Sequence, residues 1–331
     1  MADWKGRGPM GRQFPGDFLV LFRRRGAVAA AALALLVLAA CTPRQPYPLP
    51  ERPDIPHGQG RLWKVEGEGL APSYVFGTMH VDDKRVMDLS PTVEAAFAEA
   101  ETAAFEIIDE TVADIEALYD ERMELAGDET LEDLIGSRSF GILRWHMKQR
   151  LLVPKNNIKP WVFWEYMGGE TFGFVDYDRL EPSGHGMVLD DWLEERATKT
   201  GKDVVGLETV EEQVDIYDKI PLDQQAELLK LALDQYSDST PWVPKVQLYL
   251  DGDLAMFEAL WREYLSWLPP DAAETVDRRL IDDRNRTMVE RMMPLMAEES
   301  TFVAVGAAHL AGEEGVLFLL EQEGFTVTRL E

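Results

Sequence analysis

Hydrophobic residues fall into short continuous runs and longer periodic stretches, and the two alternate along the chain. The runs at 74–76, 103–108, 204–207 and 301–305 contain β-branched or aromatic residues and are flanked by glycine or polar residues. Such runs predict strands. Being continuous, they predict a sheet covered on both faces. A fifth segment, 325–330, alternates and predicts another strand. Between them lies helical spacing. Ser90 and Pro91 can cap and start a helix through Val93, Ala96, Phe97 and Ala100. The same spacing continues over 109–134, 187–200, 221–237, 244–268 and 271–297. Val316, Leu319 and Leu320 precede Gly324, as in a helix closed by glycine. Strands alternating with helices predict an α/β domain, over 61–331, with a mainly parallel or mixed central sheet. Two helical stretches, about 110–185 and 211–297, exceed simple crossovers and read as insertions capping the sheet edge.

The strand ends carry the chemistry. The first run leads into Gly77-Thr78-Met79-His80, and the second contains Phe105-Glu106-Ile107. The third leads into Glu208-Thr209, and the last into Gly306-Ala307-Ala308-His309. Ligands of open α/β sheets bind beyond the carboxyl ends of the strands. His80, Glu106, Glu208 and His309 are therefore expected on one rim. The two Gly-x-x-His segments share a layout of strand, glycine, histidine, acidic loop and helix. The glycine permits a sharp turn or a close approach. Two imidazoles and two carboxylates suit Zn²⁺, Mn²⁺, Fe²⁺ or Co²⁺, which can activate a water for hydrolysis. One glutamate could then be a ligand and the other a general base. Without metal, the same groups suit acid–base work.

Within 271–297, Val276, Leu280, Ile281, Met288, Val289 and Met292 form an apolar stripe. Arg284 and Asn285 fall inside it. A guanidinium on a buried face needs a carboxylate or a substrate anion. The remaining histidines read differently. His57 is expected in solvent, His146 on a basic surface face, and His185 in a flexible loop. Trp161, Phe163, Trp164, Tyr166, Phe172 and Phe174 read as core or lid packing.

Charge and the N-terminus narrow the setting. The 331 residues carry a formal net charge of -27 and are 46% hydrophobic. This affords a sizeable core and argues against a nucleic-acid surface, which needs basic patches. Arg23, Arg24 and Arg25 precede an apolar run from Ala27 to Ala40. That run is shorter than the roughly 20 residues of a membrane span and fits the core of a secretory signal. It ends Leu38-Ala39-Ala40-Cys41, which resembles a bacterial lipobox, and Cys41 is the only cysteine. The expectation is a signal over 1–40; the long segment before Arg23 points to a start codon further downstream, with Met10 as a candidate. Cys41 would be lipidated, and a proline-rich tether would span 41–60. The protein would then be exported and anchored on the periplasmic side of a bacterial membrane, with Thr42 leaning toward the outer one. Without a second cysteine, no internal disulfide or thiolate metal site is available.

Four stretches resemble the TraB/GumN family, which includes the TIKI metalloproteases. They are YVFGTMHVDDKRVMDLSPTVEAAFAEAETAAFEI, GKDVVGLETVEEQ, DDRNRTMVERM and GAAHLAGEEGVLFLLEQEGFTV. The resemblance implies a fold related to erythromycin esterases and a haem-binding lipoprotein. It implies a site containing His80, Glu106 and His309, with Glu208, Arg284 and Asn285 near it, and a divalent metal of unspecified identity. The expected function is a metal-dependent hydrolase of peptides or another small substrate. His80 and His309 would hold the metal, Glu106 would be ligand or base, and Arg284 would steady an anion. The alternative is a lipoprotein that captures haem, metal or a signalling peptide without turnover, or an accessory of envelope assembly.

Overall fold

The apolar runs assemble into one mixed sheet of six strands in the computed structural model. It describes residues 47–108, 112–149, 152–167, 180–235 and 243–331. The signal segment, Cys41, Phe172 and Phe174 lie outside the described residues. The strands are β1 (Leu62–Glu66), β2 (Ser73–Thr78), β3 (Thr102–Phe105), β4 (Asp203–Gly206), β5 (Thr301–Gly306) and β6 (Thr326–Arg329). Their order is β4-β3-β5-β2-β1-β6. β2, β3, β4 and β5 pair in parallel, whereas β1 runs antiparallel to both β2 and β6. β2, β3 and β5 are buried almost throughout, as their unbroken apolar runs require.

β1 was not anticipated as a strand. It buries Leu62, Trp63 and Val65, while Lys64 and Glu66 alternate outward. The long helical stretches are also more broken than their periodicity implies. The stretch 109–134 divides into Val112–Arg122 and the start of Leu131–Gln149, with Gly127 at φ 66° between them. The stretch 244–268 divides at Gly252, also at φ 66°, into Lys245–Leu250 and Leu254–Ser266. Only glycine adopts that backbone without strain. The stretch 271–297 keeps its path but contains a π-helical turn, Arg278–Asp282, between helices Pro270–Asp277 and Asp283–Glu298.

Two cores result. One surrounds the sheet and includes Phe76, Phe105, Phe302 and, from Asp283–Glu298, Met288, Val289, Met292 and Met296. The other is helical and includes Trp161, Trp164, Leu228, Leu229, Tyr264 and Leu280. In it, Trp164 Nε1 donates to the Tyr264 hydroxyl at 3.1 Å. The chain passes from the helical core at Leu280 to the sheet core at Met288, with Arg284 and Asn285 at the crossing. His146 is a correction, being buried against Trp145 rather than lying on a basic surface. His57 is another. Its ring meets Trp63 edge-on and its Nε2 lies 3.2 Å from Glu321 Oε2. The segment 47–60 is fastened to the domain, through Gly60 N to the Gly252 carbonyl at 2.8 Å and Ala255 N to the Gly58 carbonyl at 2.9 Å. No helix among the described residues is long and apolar enough to cross a membrane.

Candidate functional site

Parallel register aligns the strand ends. Thr78 of β2 stands opposite Gly306 of β5, and Phe105 of β3 opposite both Ala304 of β5 and Gly206 of β4. The β3–β4 ladder continues one step, with Glu208 N donating to the Glu106 carbonyl at 2.7 Å. Thr209 then caps the helix Val210–Asp218 in a capping box with Glu212, so the chain turns away just after Glu208. His80, Glu106, Glu208 and His309 thus leave four neighbouring strands at the same edge.

Arg284 fills the space between them. Its Nε donates to Glu208 Oε1 at 2.9 Å, and its Nη2 to Glu208 Oε2 at 2.6 Å and Glu106 Oε2 at 2.7 Å. Its Nη1 lies 3.1 Å from His309 Nε2. All four side chains are nearly shielded from water. Burial opposes the arginine's charge, but Glu106 and then Glu208 outweigh it and raise its pKa above the usual value. Burial likewise opposes ionisation of Glu106, yet Arg284 holds that carboxyl well below the usual range. Arg284 is a paired buried cation, and its partners are the two carboxylates that interrupt apolar runs.

His309 is oriented by Asn285. The Asn285 amide donates through Nδ2 to the Glu314 carbonyl at 2.7 Å, which leaves Oδ1 facing His309 Nδ1 at 2.6 Å. Oδ1 is an acceptor only, so Nδ1 carries the proton and Nε2 the lone pair. Burial, reinforced by Arg284, lowers the His309 pKa from 6.5 to about 3, so the ring is neutral near pH 7.

Both glycines of the Gly-x-x-His segments serve close approach rather than a turn, since neither has positive φ. A Cβ at Gly306 would stand 3.0 Å from Glu106 Oε1, and the Gly306 N–H donates to that same oxygen at 2.5 Å. A Cβ at Gly77 would stand 2.8 Å from Leu310 Cδ1 and 3.3 Å from the Ala307 backbone. The two segments therefore pack directly on one another.

His80 is the exposed member, with 59% of its side chain accessible. Its field reaches both Glu106 and His309. Its Nε2 lies 3.3 Å from Asp190 Oδ1, a residue the sequence reading missed. Asp190 belongs to the helix Leu189–Thr200, and its local sequence reads as ordinary acidic residues in a first helical turn. Tyr249, also missed, donates to the Gly77 carbonyl at 2.9 Å.

The donor set matches a divalent cation in kind. His309 Nε2 and Glu106 Oε1 are 3.8 Å apart, a span that one cation bridges at roughly 2.0–2.2 Å per bond. Two carboxylates against one guanidinium and a neutral histidine leave one negative charge to attract it. Among the described residues, no three His, Cys, Asp or Glu side chains already stand grouped around one metal position.

Comparison with known proteins agrees with this frame. The model of the TraB/PrgY/gumN family matches residues 61–329. The chain is 27% identical over 313 residues to a protein named metalloprotease TIKI2 from Xenopus tropicalis, covering 80% of this chain and 59% of that one. It is 26% identical over 311 residues to metalloprotease TIKI1 of Danio rerio, covering 80% and 62%. It is also 26% identical over 312 residues to metalloprotease TIKI1 of Homo sapiens, covering 80% and 61%. The chain thus spans about three fifths of these relatives. No solved structure matches.

Proposed function

Since the chain belongs to the TraB/PrgY/gumN family, we propose that it is a metal-dependent hydrolase of peptides. The observation that carries this reading is the Arg284 cluster at the strand ends, in which the His309 Nε2 lone pair faces Arg284 Nη1 at 3.1 Å and lies 3.8 Å from Glu106 Oε1. His309 and Glu106 would hold a divalent metal, with His80 as third ligand. When bound, such an ion supplies Lewis acidity and an activated water. The protein groups then divide the remaining work. Glu208 spends both oxygens on Arg284, so it fixes the guanidinium rather than acting as base. Glu106 gives only Oε2 to Arg284; its Oε1 accepts the Gly306 N–H and lies 3.8 Å from His309 Nε2, which makes it the better base or ligand. Arg284 offers a fixed positive charge to an anion formed during acyl transfer. The names of the relatives support the peptidase class.

The test uses protein lacking residues 1–41. It is stripped of metal, refilled with Mn²⁺, Co²⁺ or Zn²⁺, and offered a mixed peptide library. Cleavage should require metal and fall at least 10- to 100-fold in His309→Ala, the loss seen even when only a ligand's orienting partner is removed. Absence of cleavage with every metal, combined with stoichiometric capture of haem or metal, would overturn the hydrolase in favour of a binding lipoprotein.

We also propose that Cys41 tethers this domain to a membrane. The docked segment 47–60 would then hold the rim within a short linker of the lipid. Cys41→Ser should move the full-length chain from the membrane fraction to the soluble fraction. Unchanged partition on fractionation would exclude the tether.

A further inference from the structure

The two rim histidines are held by different chemistry. Asn285, a neutral amide, holds His309 through Nδ1. His80 faces an anion through the opposite nitrogen, Nε2. The carboxylate of Asp190 is itself fixed, because Thr78 Oγ1 donates to Oδ1 at 2.5 Å. Thr78 lies inside the first Gly-x-x-His segment, so that segment supplies both the histidine and the clamp on its partner. Asp190 Oδ1 thus accepts from Thr78 and lies within ion-pair distance, 3.3 Å, of His80 Nε2. Its other oxygen, Oδ2, is buried and meets no hydrogen-bond donor among the described residues.

A carboxylate serving only as an anchor for the helix would engage both oxygens with backbone or side-chain donors. Asp190 instead commits its one engaged oxygen to a threonine and an exposed imidazole. Asparagine, as at position 285, could accept the same Thr78 proton without burying a charge. What the carboxylate adds is an acceptor-only partner for an imidazole N–H.

From this we infer that Asp190 is the positioning residue of His80. It holds the Nε2–H tautomer, so that Nδ1 carries the lone pair with which His80 acts at the rim. The inference rests on the reading of this rim as the reaction site. It assigns the two histidines opposite nitrogens, Nε2 for His309 and Nδ1 for His80. Histidines that bind metals are commonly oriented in this way through their second nitrogen.

The test separates this inference from the hydrolase reading, because its first readout needs no turnover. Protein lacking residues 1–41 is labelled with ¹⁵N in its imidazoles, and long-range ¹H–¹⁵N spectra are recorded near pH 8, with His80→Gln used for assignment. His80 should show a protonated-type Nε2 and a bare-type Nδ1. In Asp190→Ala the two shifts should move toward a tautomer mixture. The second readout is Mn²⁺ titration calorimetry of metal-free protein, where Asp190→Ala should weaken binding 10- to 100-fold. In the refilled enzyme, kcat should fall while KM stays within twofold. If Asp190→Ala does not fold, Asp190→Asn is measured in its place, with a smaller tautomer shift in the same direction. A protonated Nδ1 in the parent protein, or tautomer shifts identical in parent and variant, would overturn the assignment even if peptide cleavage is confirmed. A chain that cleaves nothing but shows the Nε2–H tautomer, lost in the variant, would retain Asp190 and lose the hydrolase.

Discussion

Replacing Arg284 with methionine is expected to cost about 3–5 kcal/mol of stability, the usual result of removing one partner from a buried ion pair. The loss is not that of four hydrogen bonds in water. It arises because Glu106 and Glu208 remain buried, less than 4 Å from where the guanidinium stood, with no cation to balance them. One of them must then take up a proton, or the strand ends must open to water. Urea unfolding at pH 7 reads the effect as a fall in midpoint. The variant Glu106→Gln/Glu208→Gln/Arg284→Met removes all three charges and should recover most of that loss, since buried ion pairs replaced together are often nearly neutral. It should recover none of the peptide cleavage or metal binding. If Arg284→Met alone unfolds at the parent's midpoint, the cluster is not what joins the helix Asp283–Glu298 to the sheet.

That cluster was half visible in the sequence. Each of its members stood where an apolar pattern was broken: Glu106 inside a strand run, Glu208 at a strand end, and Arg284 and Asn285 on an apolar helical stripe. A charge placed in an apolar pattern needs a partner, and here the partners are each other. Their mutual recognition was not visible, because Arg284 is 178 residues from Glu106 and 76 from Glu208. The π-turn left a fainter trace. Buried positions step by four from Val276 to Leu280, then by five to Asn285, and return to helical spacing at Met288, Val289 and Met292. The five-residue step is the extra residue of a π-bulge, a feature frequent at functional sites. It rotates Arg284 and Asn285 onto the rim.

Other features left no local trace. Asp190 touches Thr78, 112 residues earlier, and sits among acidic neighbours in a chain of net charge -27. Nothing in such a context marks one aspartate. β6, by contrast, was legible as the alternating segment 325–330 although it is mostly exposed; what the sequence did not show was its partner, β1. The antiparallel side of the sheet therefore depended on β1, whose single short segment alternates too briefly to stand out from a loop. The breaks at Gly127 and Gly252 were visible as glycines, but periodicity on both sides masked them.

Stability of the metal-free protein is expected to fall as pH drops from 6.5 toward 3, and His309 is the main cause. Its folded pKa is about 3 against 6.5 in the unfolded chain, because burial and Arg284 both oppose its charge. Between those values the unfolded chain binds the proton and the folded protein does not. Stability therefore rises with pH through this window and is fully restored above it. The full difference corresponds to at most about 5 kcal/mol, at roughly 1.4 kcal/mol per unit. Glu106 acts in the same sense at lower pH. Burial opposes its ionisation, but Arg284 dominates, so its contribution is present above 4.5 and is lost as pH falls through its depressed folded value. Asp282 opposes both. Its pKa is raised to about 6 by burial and by Asp277 and Glu314, so it binds a proton sooner in the folded state. Being only partly buried and screened by solvent, it contributes less. From pH 6.5 to 4.5 Asp282 titrates in both proteins, so the difference between the parent and His309→Gln isolates His309. Urea midpoints measured at half-unit steps should fall there in the parent relative to His309→Gln, whose side chain cannot titrate. Parallel curves for the two proteins across that region would show that His309 is open to water and protonates in place. The neutral imidazole facing Glu106, on which the metal reading depends, would go with it.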